Sequence, residues 1–179
     1  MPAPNSARQE KEFVRLSVRP DGTIETVEFD EGGGPTAFVD VETTGLSAGR
    51  HRILQVAVVT VDNSKKLNCL STSRVVGLRD TFERLAGDRE LRAVVLTGAG
   101  ERSFIGGADL DELGGLCADS ARLYITRLHK ACKAIRDCPV PVIARVNGFC
   151  LGAGLEVAAS ADMRVASDNA VFGMPEVHM

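Results

Sequence analysis

One stretch of the sequence decides the fold, residues 141–179, PVIARVNGFCLGAGLEVAASADMRVASDNAVFGMPEVHM. Its first segment, residues 142–146, has the apolar, β-branched pattern of a buried strand, and Asn147-Gly148 follows as a turn. Gly152-Ala153-Gly154 then leads into a helical segment that ends by Asp162. Backbone N–H groups at the start of a helix stabilise negative charge, so the stretch predicts an anion-stabilising turn between a strand and a helix.

Two glutamates accompany this turn. Glu156 lies in the first turn of the predicted helix, and Glu176 follows in the segment FGMPE. The neighbours of Glu156 are small or apolar, so its carboxylate must either reach solvent or lie in a site, where burial suits acid–base chemistry. The residues alone leave two interpretations open: a catalytic pair, or a helix-start carboxylate and an unrelated solvated carboxylate.

A second glycine turn, FIGGAD at residues 104–109, follows the strand predicted at residues 92–97. The backbone N–H near Ala108 could supply a second donor to a developing oxyanion. The alternative is a plain strand-to-helix turn in which Asp109 caps the next helix. Two such turns with paired carboxylates indicate a site more strongly than either turn alone.

The rest of the chain alternates between strand and helix patterns. Strand patterns occupy residues 13–18, 23–29, 36–42, 53–61, 92–97, 142–146 and 163–166. One helix pattern starts at the caps Ser71-Thr72-Ser73 and ends near residue 86. A longer one covers residues 120–138, with one apolar face made of Ala121, Ile125, Leu128, Cys132 and Ile135. This order predicts an α/β fold, with a β-rich N-terminal segment at residues 1–52 and a core at residues 53–179.

Composition is that of an ordinary globular protein. The 179 residues are 44% hydrophobic and 25% charged, and 21 basic against 24 acidic residues give a net charge of −3. These values exclude disordered and fibrous classes and provide no broad positive surface for nucleic acid. The longest uncharged segment, residues 146–155, is far shorter than the ~20 apolar residues of a membrane helix.

The cysteines indicate a reducing compartment. There are five, an odd number, at positions 69, 117, 132, 138 and 150, and none forms a Cys-x-x-Cys pair. The polar start MPAPNSARQEKEF is not an apolar signal segment. Together these features favour a cytoplasmic location, with the cysteines as small core residues.

Three motifs resemble the crotonase (enoyl-CoA hydratase/isomerase) superfamily. They are VAVVTVDNSKKLNCLS at residues 56–71, AVVLTGAGERSFIGGADLDEL at residues 93–113 and VNGFCLGAGLEVAASADMRVASDNAVFGMPEV at residues 146–177. The resemblance covers about residues 53–179, with the motifs in the family's order and spacing. It implies a partial crotonase-like spiral of ββα units, incomplete at its C-terminal end.

The resemblance also implies a site, residue by residue. The oxyanion hole would be formed by the N–H groups of Ala108 and Ala153, the latter replacing a glycine of many members. Glu156 and Glu176 match the two glutamates of the family's hydratases. The residues that match the CoA-binding segments are Lys66, Leu67, Asn68, Ile105, Gly106, Gly107 and Ala108.

The implied function is that of an enoyl-CoA hydratase-type lyase, which adds water to a 2-enoyl-CoA thioester. That reaction needs a base for the water and an acid for the α-carbon, so a pair of glutamates favours hydration. Isomerisation by the same family, or an inactive truncated product, remain alternatives. Coenzyme A would be part of the substrate, so no cofactor is expected. The expected partner is an acyl-CoA, without nucleic acid or membrane, and the complete family fold would form a homotrimer or hexamer.

A second resemblance lies within residues 36–57. The segments FVDVETTGL at residues 38–46 and RILQVA at residues 52–57 resemble the first motif of DEDD-type 3′–5′ exonucleases. On a strand, Asp40 and Glu42 would share a face and could hold Mg²⁺. That site also needs a late His-x-x-x-x-Asp, and none of the three histidines has an aspartate five positions on. A metal-dependent nuclease fragment is therefore an alternative to a strand with two solvent-facing acids, and the main interpretation has no metal.

Overall fold

A computed structural model describes residues 55–178 and, by their backbone, three strands that precede them. These strands are β1 (Phe13–Val18), β2 (Ile24–Glu28) and β3 (Thr36–Phe38). The prediction of a third strand over residues 36–42 is confirmed for its first part, and residues 39–42 lie outside the described residues. Asp40, Glu42 and the domain boundary at residue 52 also lie outside them.

From β4 onward the chain alternates between strands and helices, as predicted. The strands are β4 (Gln55–Val61), β5 (Leu91–Gly98), β6 (Ser103–Ile105), β7 (Val142–Val146), β8 (Phe149–Leu151), β9 (Met163–Ala166) and β10 (Val171–Gly173). The helices are α1 (Thr72–Leu85), α2 (Leu110–Leu113), α3 (Ala118–Arg136) and α4 (Ala153–Ala159), and short 3-10 turns cover Ser64–Lys66 and Pro175–His178. The predicted cap of α1 is confirmed, because Ser71 Oγ accepts a hydrogen bond from the Arg74 N–H at 3.4 Å.

The strands form two sheets. The larger has the order β2-β1-β3-β4-β5-β7-β9, and β4, β5, β7 and β9 run parallel. The smaller has the order β10-β8-β6 and is parallel throughout. From β5 onward, each pair of consecutive strands gives its first member to the large sheet and its second to the small one. This is the predicted spiral of ββα units, and the α/β fold class is confirmed.

The hydrophobic core joins the large sheet to α1 and α3. Its largest fully buried side chains include Phe82, Phe104, Leu70, Leu78 and Leu96. Burial of apolar side chains stabilises a fold by about 25 cal/mol per Å² of apolar surface removed from water, and it is the main stabilising contribution here. The helix α4 packs on β6, β8 and α3, which brings its first turn to the small sheet.

The buried stripe of α3 differs from the predicted one. The buried residues are Tyr124, Leu128, Ala131, Cys132 and Ile135, whereas Ile125 is 47% exposed. The prediction of Ile125 as a core residue was therefore wrong. Tyr124 occupies the buried stripe instead of Ile125. Its ring is apolar, and its buried hydroxyl donates a hydrogen bond to the Leu70 carbonyl at 2.9 Å.

Apolar side chains are exposed along the last two strands. Met163 and Val165 on β9 are 52% and 60% exposed, and Val171 and Phe172 on β10 are each 48% exposed. A large exposed apolar surface favours association with other molecules. In the part of the chain that the structure describes, no helix is long and apolar enough to cross a membrane.

Candidate active site

Three neighbouring parallel strands, β6, β8 and β10, end at the same edge of the small sheet. The Gly106-Gly107-Ala108 turn follows β6, the Gly152-Ala153-Gly154 turn follows β8, and Glu176 follows β10. Ligands of open α/β sheets bind outside the carboxyl ends of the strands. The topology therefore brings together the segments that the sequence predicted as a site.

The backbone N–H of Ala108 is directed away from its own neighbours. Leu70 N donates to the Gly107 carbonyl at 2.8 Å, and Asp109 N donates to the Leu70 carbonyl at 2.9 Å, which makes a parallel bridge opposite Ala108. In an extended chain successive backbone groups point to opposite sides, so the Ala108 N–H points away from Leu70. Within the described residues this N–H has no hydrogen-bond acceptor.

The second amide, that of Ala153, opens α4. At the start of α4, the Gly152 carbonyl accepts hydrogen bonds from Leu155 N at 2.8 Å and from Glu156 N at 3.1 Å. The N–H groups of Ala153 and Gly154 precede these donors and have no acceptor among residues 55–178. The replacement of glycine by alanine at position 153 thus leaves a free amide, and the alanine side chain itself is buried.

Close backbone contacts hold the two turns together. A Cβ on Gly154 would overlap the carbonyl oxygen of Ile105, and a Cβ on Gly107 would lie 3.5 Å from the Leu151 carbonyl oxygen. Only glycine fits the first contact, and Gly107 also has φ +121°, which glycine adopts without strain. The turns that carry Ala108 and Ala153 therefore pack against each other at one edge of the small sheet.

Glu176 lies directly over the start of α4. A Cβ on Gly152 would overlap Glu176 Oε1 and lie 3.1 Å from its Cδ. Gly152 N also donates to the Gly173 carbonyl at 2.9 Å, which ties the turn to β10. The Glu176 carboxylate, although exposed to solvent, is thus held beside the partial positive charge of a helix N-terminus.

Glu156 is the fourth residue of the same helix and is also exposed. A side chain there leans toward the helix N-terminus, where Glu176 is found. Its charge also acts on Tyr124 of α3: burial chiefly, and to a smaller extent nearby acidic groups that include Glu156, raise the pKa of Tyr124. Glu156 therefore lies in the first turn of α4 and Glu176 beside the start of that helix, and their pairing in catalysis stays a prediction.

The segment matched to CoA binding is fixed against the first glycine turn. The Leu67 carbonyl accepts from Gly106 N and from Ser103 Oγ, both at 2.8 Å. Leu67 and Asn68 have φ of +54° and +58°, a strained conformation for non-glycine residues. A tight turn at these residues is thereby placed beside Gly106.

The side chains of this segment have different environments. Asn68 is buried, and its amide donates to the carbonyls of Ala99 and Ser103 at 3.0 and 2.7 Å, so the side chain supports the fold. The Lys66 ammonium is half exposed and contacts Asp111 at 2.7 Å and Asp109 at 3.2 Å. Hydrogen bonds to those two aspartates raise the pKa of Lys66, which remains positively charged.

Asp109 has the structural role that the sequence left open. Its carboxylate accepts from Asp111 N at 3.2 Å and caps α2, so the capping interpretation holds. The N–H of the preceding Ala108 has no acceptor among the described residues, so the predicted role of this N–H as an oxyanion donor stays a prediction beside the capping role of Asp109.

Sequence reasoning missed Tyr124, which lies beneath this edge. It is the single tyrosine of the chain, and its position four residues before Leu128 on α3 was the available signal. Among the described residues no cluster of three or more His, Cys, Asp or Glu side chains could hold a metal ion.

Comparisons with known proteins agree with this geometry. A model of the family described as Enoyl-CoA hydratase/isomerase matches residues 53–179. The short-chain-enoyl-CoA hydratase of Clostridium acetobutylicum is 42% identical over 123 residues, which make up 69% of this chain and 47% of that protein.

Solved structures show the same fold. An enoyl-CoA hydratase from Bacillus anthracis matches with a TM-score of 0.68 at 28% identity, over 78% of this chain and 51% of that one. An enoyl-CoA hydratase/carnithine racemase from Magnetospirillum magneticum matches with a TM-score of 0.68 at 34% identity, over 77% and 50%. The chain spans about half the length of the curated relatives it matches.

Proposed function

The chain belongs to the enoyl-CoA hydratase/isomerase family, and on that premise we propose that it acts in the hydration of a 2-enoyl-CoA thioester. The observation that carries this proposal is the meeting of two free amides and two glutamates at the ends of three parallel strands. Each group corresponds to one requirement of the reaction.

The amides of Ala108 and Ala153 would bind the thioester oxygen. Addition of water to the β-carbon moves negative charge onto that oxygen in an enolate-like transition state. Fixed N–H donors favour this charge without reorganising, and one such donor typically contributes ~3 kcal/mol. The helix dipole of α4 acts in the same direction.

The two glutamates would transfer the protons of the reaction. One carboxylate accepts a proton from the attacking water, whose oxygen bonds to the β-carbon, while the other carboxyl group gives a proton to the α-carbon. Proton transfer by a positioned group is worth roughly 10²–10⁴ in rate. The position of Glu176 beside Gly152 and that of Glu156 in the first turn of α4 support their assignment to these tasks.

The CoA part would lie along the turn that precedes α1. Lys66, on the exposed side of that turn, carries a positive charge near Gly106 to which the phosphates of CoA can bind. The main chain at Ile105, Gly106 and Gly107 would contribute further contacts, as the family resemblance implies. Assembly into a homotrimer or hexamer and a cytoplasmic location stay predictions, the second supported by five cysteines of which none is paired.

Titration calorimetry tests the substrate class. We expect the chain to bind crotonyl-CoA and not single-stranded DNA, because its net charge is −3 and its candidate donors face an acyl oxygen. Binding to DNA alone would overturn the proposal and favour the nuclease alternative.

Hydration itself is tested with Glu156→Gln and Glu176→Gln. Each variant keeps the side-chain shape and removes proton transfer, so we expect crotonyl-CoA affinity to stay within a few-fold while the rate falls by roughly 10²–10⁴. Glu90→Gln changes the net charge equally at an exposed site and is the matched control. A full rate in either active-site variant contradicts the assigned roles, and a 3-enoyl product in place of a 3-hydroxyacyl product indicates isomerisation.

A further inference from the structure

We propose that Tyr124 is a positioning residue for the oxyanion hole, and that it acts on the Ala108 amide through the main chain of Leu70. This inference rests on the proposed function, because the direction of the Ala108 N–H matters only if a thioester oxygen binds there. It assigns a role to the one buried phenol of the chain, which no step of the hydration uses directly.

The contacts form a short chain from α3 to the site. The Tyr124 hydroxyl donates to the Leu70 carbonyl at 2.9 Å, and the same carbonyl accepts from Asp109 N at 2.9 Å. Leu70 N donates to the Gly107 carbonyl at 2.8 Å. The two peptide groups that flank Ala108 are thus hydrogen-bonded to Leu70, and the Leu70 carbonyl is hydrogen-bonded to Tyr124 of α3.

Tyr124 and Leu70 are both packed in the protein interior. Tyr124 is 2% exposed and lies in the buried stripe of a 19-residue helix, next to Leu128. Leu70 is completely buried. By contrast, the peptide of Ala108 is anchored by main-chain bonds on one side alone, so its orientation depends on where Leu70 is held.

The Tyr124 hydroxyl is available as a donor at every physiological pH. Burial raises its pKa above the ordinary value, and the negative charges of nearby carboxylates, chiefly Glu112, raise it further. A group whose pKa is raised in this way stays protonated, so its hydrogen bond to Leu70 persists while the neighbouring glutamates exchange protons.

Loss of the hydroxyl should therefore change the transition state more than the ground state. Both bonds of the bridge would survive, but Leu70 would lose its bond to α3, so Leu70 and the Ala108 amide that it holds would shift together. CoA binding does not use that direction, whereas stabilisation of the enolate oxygen does. The expected signature is a lower kcat with an unchanged KM.

Tyr124→Phe is the direct test, because it removes the hydroxyl and keeps the ring. The readout is the infrared carbonyl stretch of a ¹³C-labelled 2-enoyl-CoA thioester, which falls in frequency when an oxyanion hole polarises the bond. We expect the bound shift to shrink by about half, and kcat to fall about 10-fold, less than the 10²–10³ lost when a donor is deleted. The dissociation constant should stay within about two-fold, since the amide is displaced and not removed.

Thr97→Val is the matched control. Thr97 Oγ1 donates to the Arg145 carbonyl at 3.0 Å, so the substitution removes another largely buried hydroxyl-to-carbonyl bond, in the large sheet. A merely structural role for Tyr124 predicts equal effects of the two substitutions on the carbonyl stretch. Our inference predicts that Thr97→Val retains the wild-type shift.

A second measurement does not depend on the folding of Tyr124→Phe. Because the chain contains one tyrosine, growth on 3-fluorotyrosine labels position 124 alone. We expect the ¹⁹F resonance to move when an enoyl-CoA binds and to stay in place when CoA without an acyl group binds. The fluorinated phenol is a stronger hydrogen-bond donor than tyrosine, so the infrared shift of the bound thioester carbonyl should increase.

The outcomes separate the two proposals. No carbonyl shift in the wild-type chain overturns the proposed function and this inference with it. A normal wild-type shift that Tyr124→Phe leaves unchanged, or a fluorine resonance that does not respond to the acyl group, overturns the inference alone.

Discussion

Replacement of Gly152 by alanine tests the feature on which the site depends most, the position of Glu176 over the α4 start. Gly152 has φ +49° and ψ −120°, a combination that residues with a Cβ avoid. The added methyl would overlap Glu176 Oε1 and would lie 3.1 Å from Cδ and 3.2 Å from Oε2. The substitution should therefore strain the backbone and displace the carboxylate together.

The magnitude follows from these two effects. A non-glycine residue with positive φ costs about 1–2 kcal/mol of unfolding free energy. The overlapped atoms are the end of a long exposed side chain, which can rotate away for about 0.5–1.5 kcal/mol. We expect Gly152→Ala to lose about 1.5–3.5 kcal/mol in all. It should also lower the hydration rate by about 10²-fold, as displacement of a reacting group does.

Two other glycines separate the effects. Gly100 has φ +71° and no atom within 4 Å of an added Cβ, so Gly100→Ala measures the backbone effect alone. In Gly154→Ala the Cβ would overlap the Ile105 carbonyl oxygen, which is main chain and cannot rotate away. We expect that variant to lose about 3 kcal/mol or more, the upper range for overpacking.

The assay is urea unfolding of the single variants and of a double variant. In a Glu176→Ala background the overlap is gone, so Gly152→Ala should cost less there than in the wild-type chain. The difference between the two backgrounds is the coupling free energy, expected at about 1 kcal/mol. A coupling of zero would refute the reasoning, because it would mean that the Glu176 carboxylate does not lie over Gly152.

Two further predictions concern the surface. Hydrogen bonds from Ser120 and nearby main-chain groups lower the pKa of the exposed Cys117 thiol to about 7, and burial raises the pKa of the Cys150 thiol to about 11. Alkylation of Cys117 with iodoacetamide should therefore reach half its maximal rate near pH 7. Equal labelling of Cys117 and Cys150 at that pH would contradict this prediction. The exposed apolar side chains of β9 and β10 should make the chain self-associate. The double substitution Val165→Lys and Phe172→Lys should therefore lower the mass measured by light scattering. A wild-type chain that is already a monodisperse monomer would contradict this prediction.

Much of the fold could be predicted from local pattern. β1, β7 and β9 begin and end where their apolar segments do, and Ser71 caps α1 as its residue type and position require. The two glycine turns and both glutamates were also visible, because each is a short motif with a local cause. These are features that neighbouring residues in the chain determine.

The parts that were missed depend on residues distant in sequence. On α3 the apolar pattern fits a stripe through Ile125 as well as one through Tyr124, and the carbonyl of Leu70, 54 positions away, decides between them. The Lys66 side chain matched a CoA-binding segment, yet its contacts with Asp109 and Asp111 depend on the packing of α2 beside that turn. No periodicity within one element contains this information.

The two-sheet arrangement explains why the site needs more than one repeat. Each ββα unit ends its second strand, β6, β8 or β10, at the same edge and contributes a different group there. In the proposed site, the first unit carries the Ala108 amide, the second the Ala153 amide and Glu156, and the third Glu176. Because the glycine contacts run between units, from Gly154 to Ile105 and from Gly152 to Glu176, each group is placed by the unit beside it. Substitutions at one strand end should therefore change the chemistry contributed by its neighbours, which is the coupling that the Gly152 and Tyr124 experiments measure.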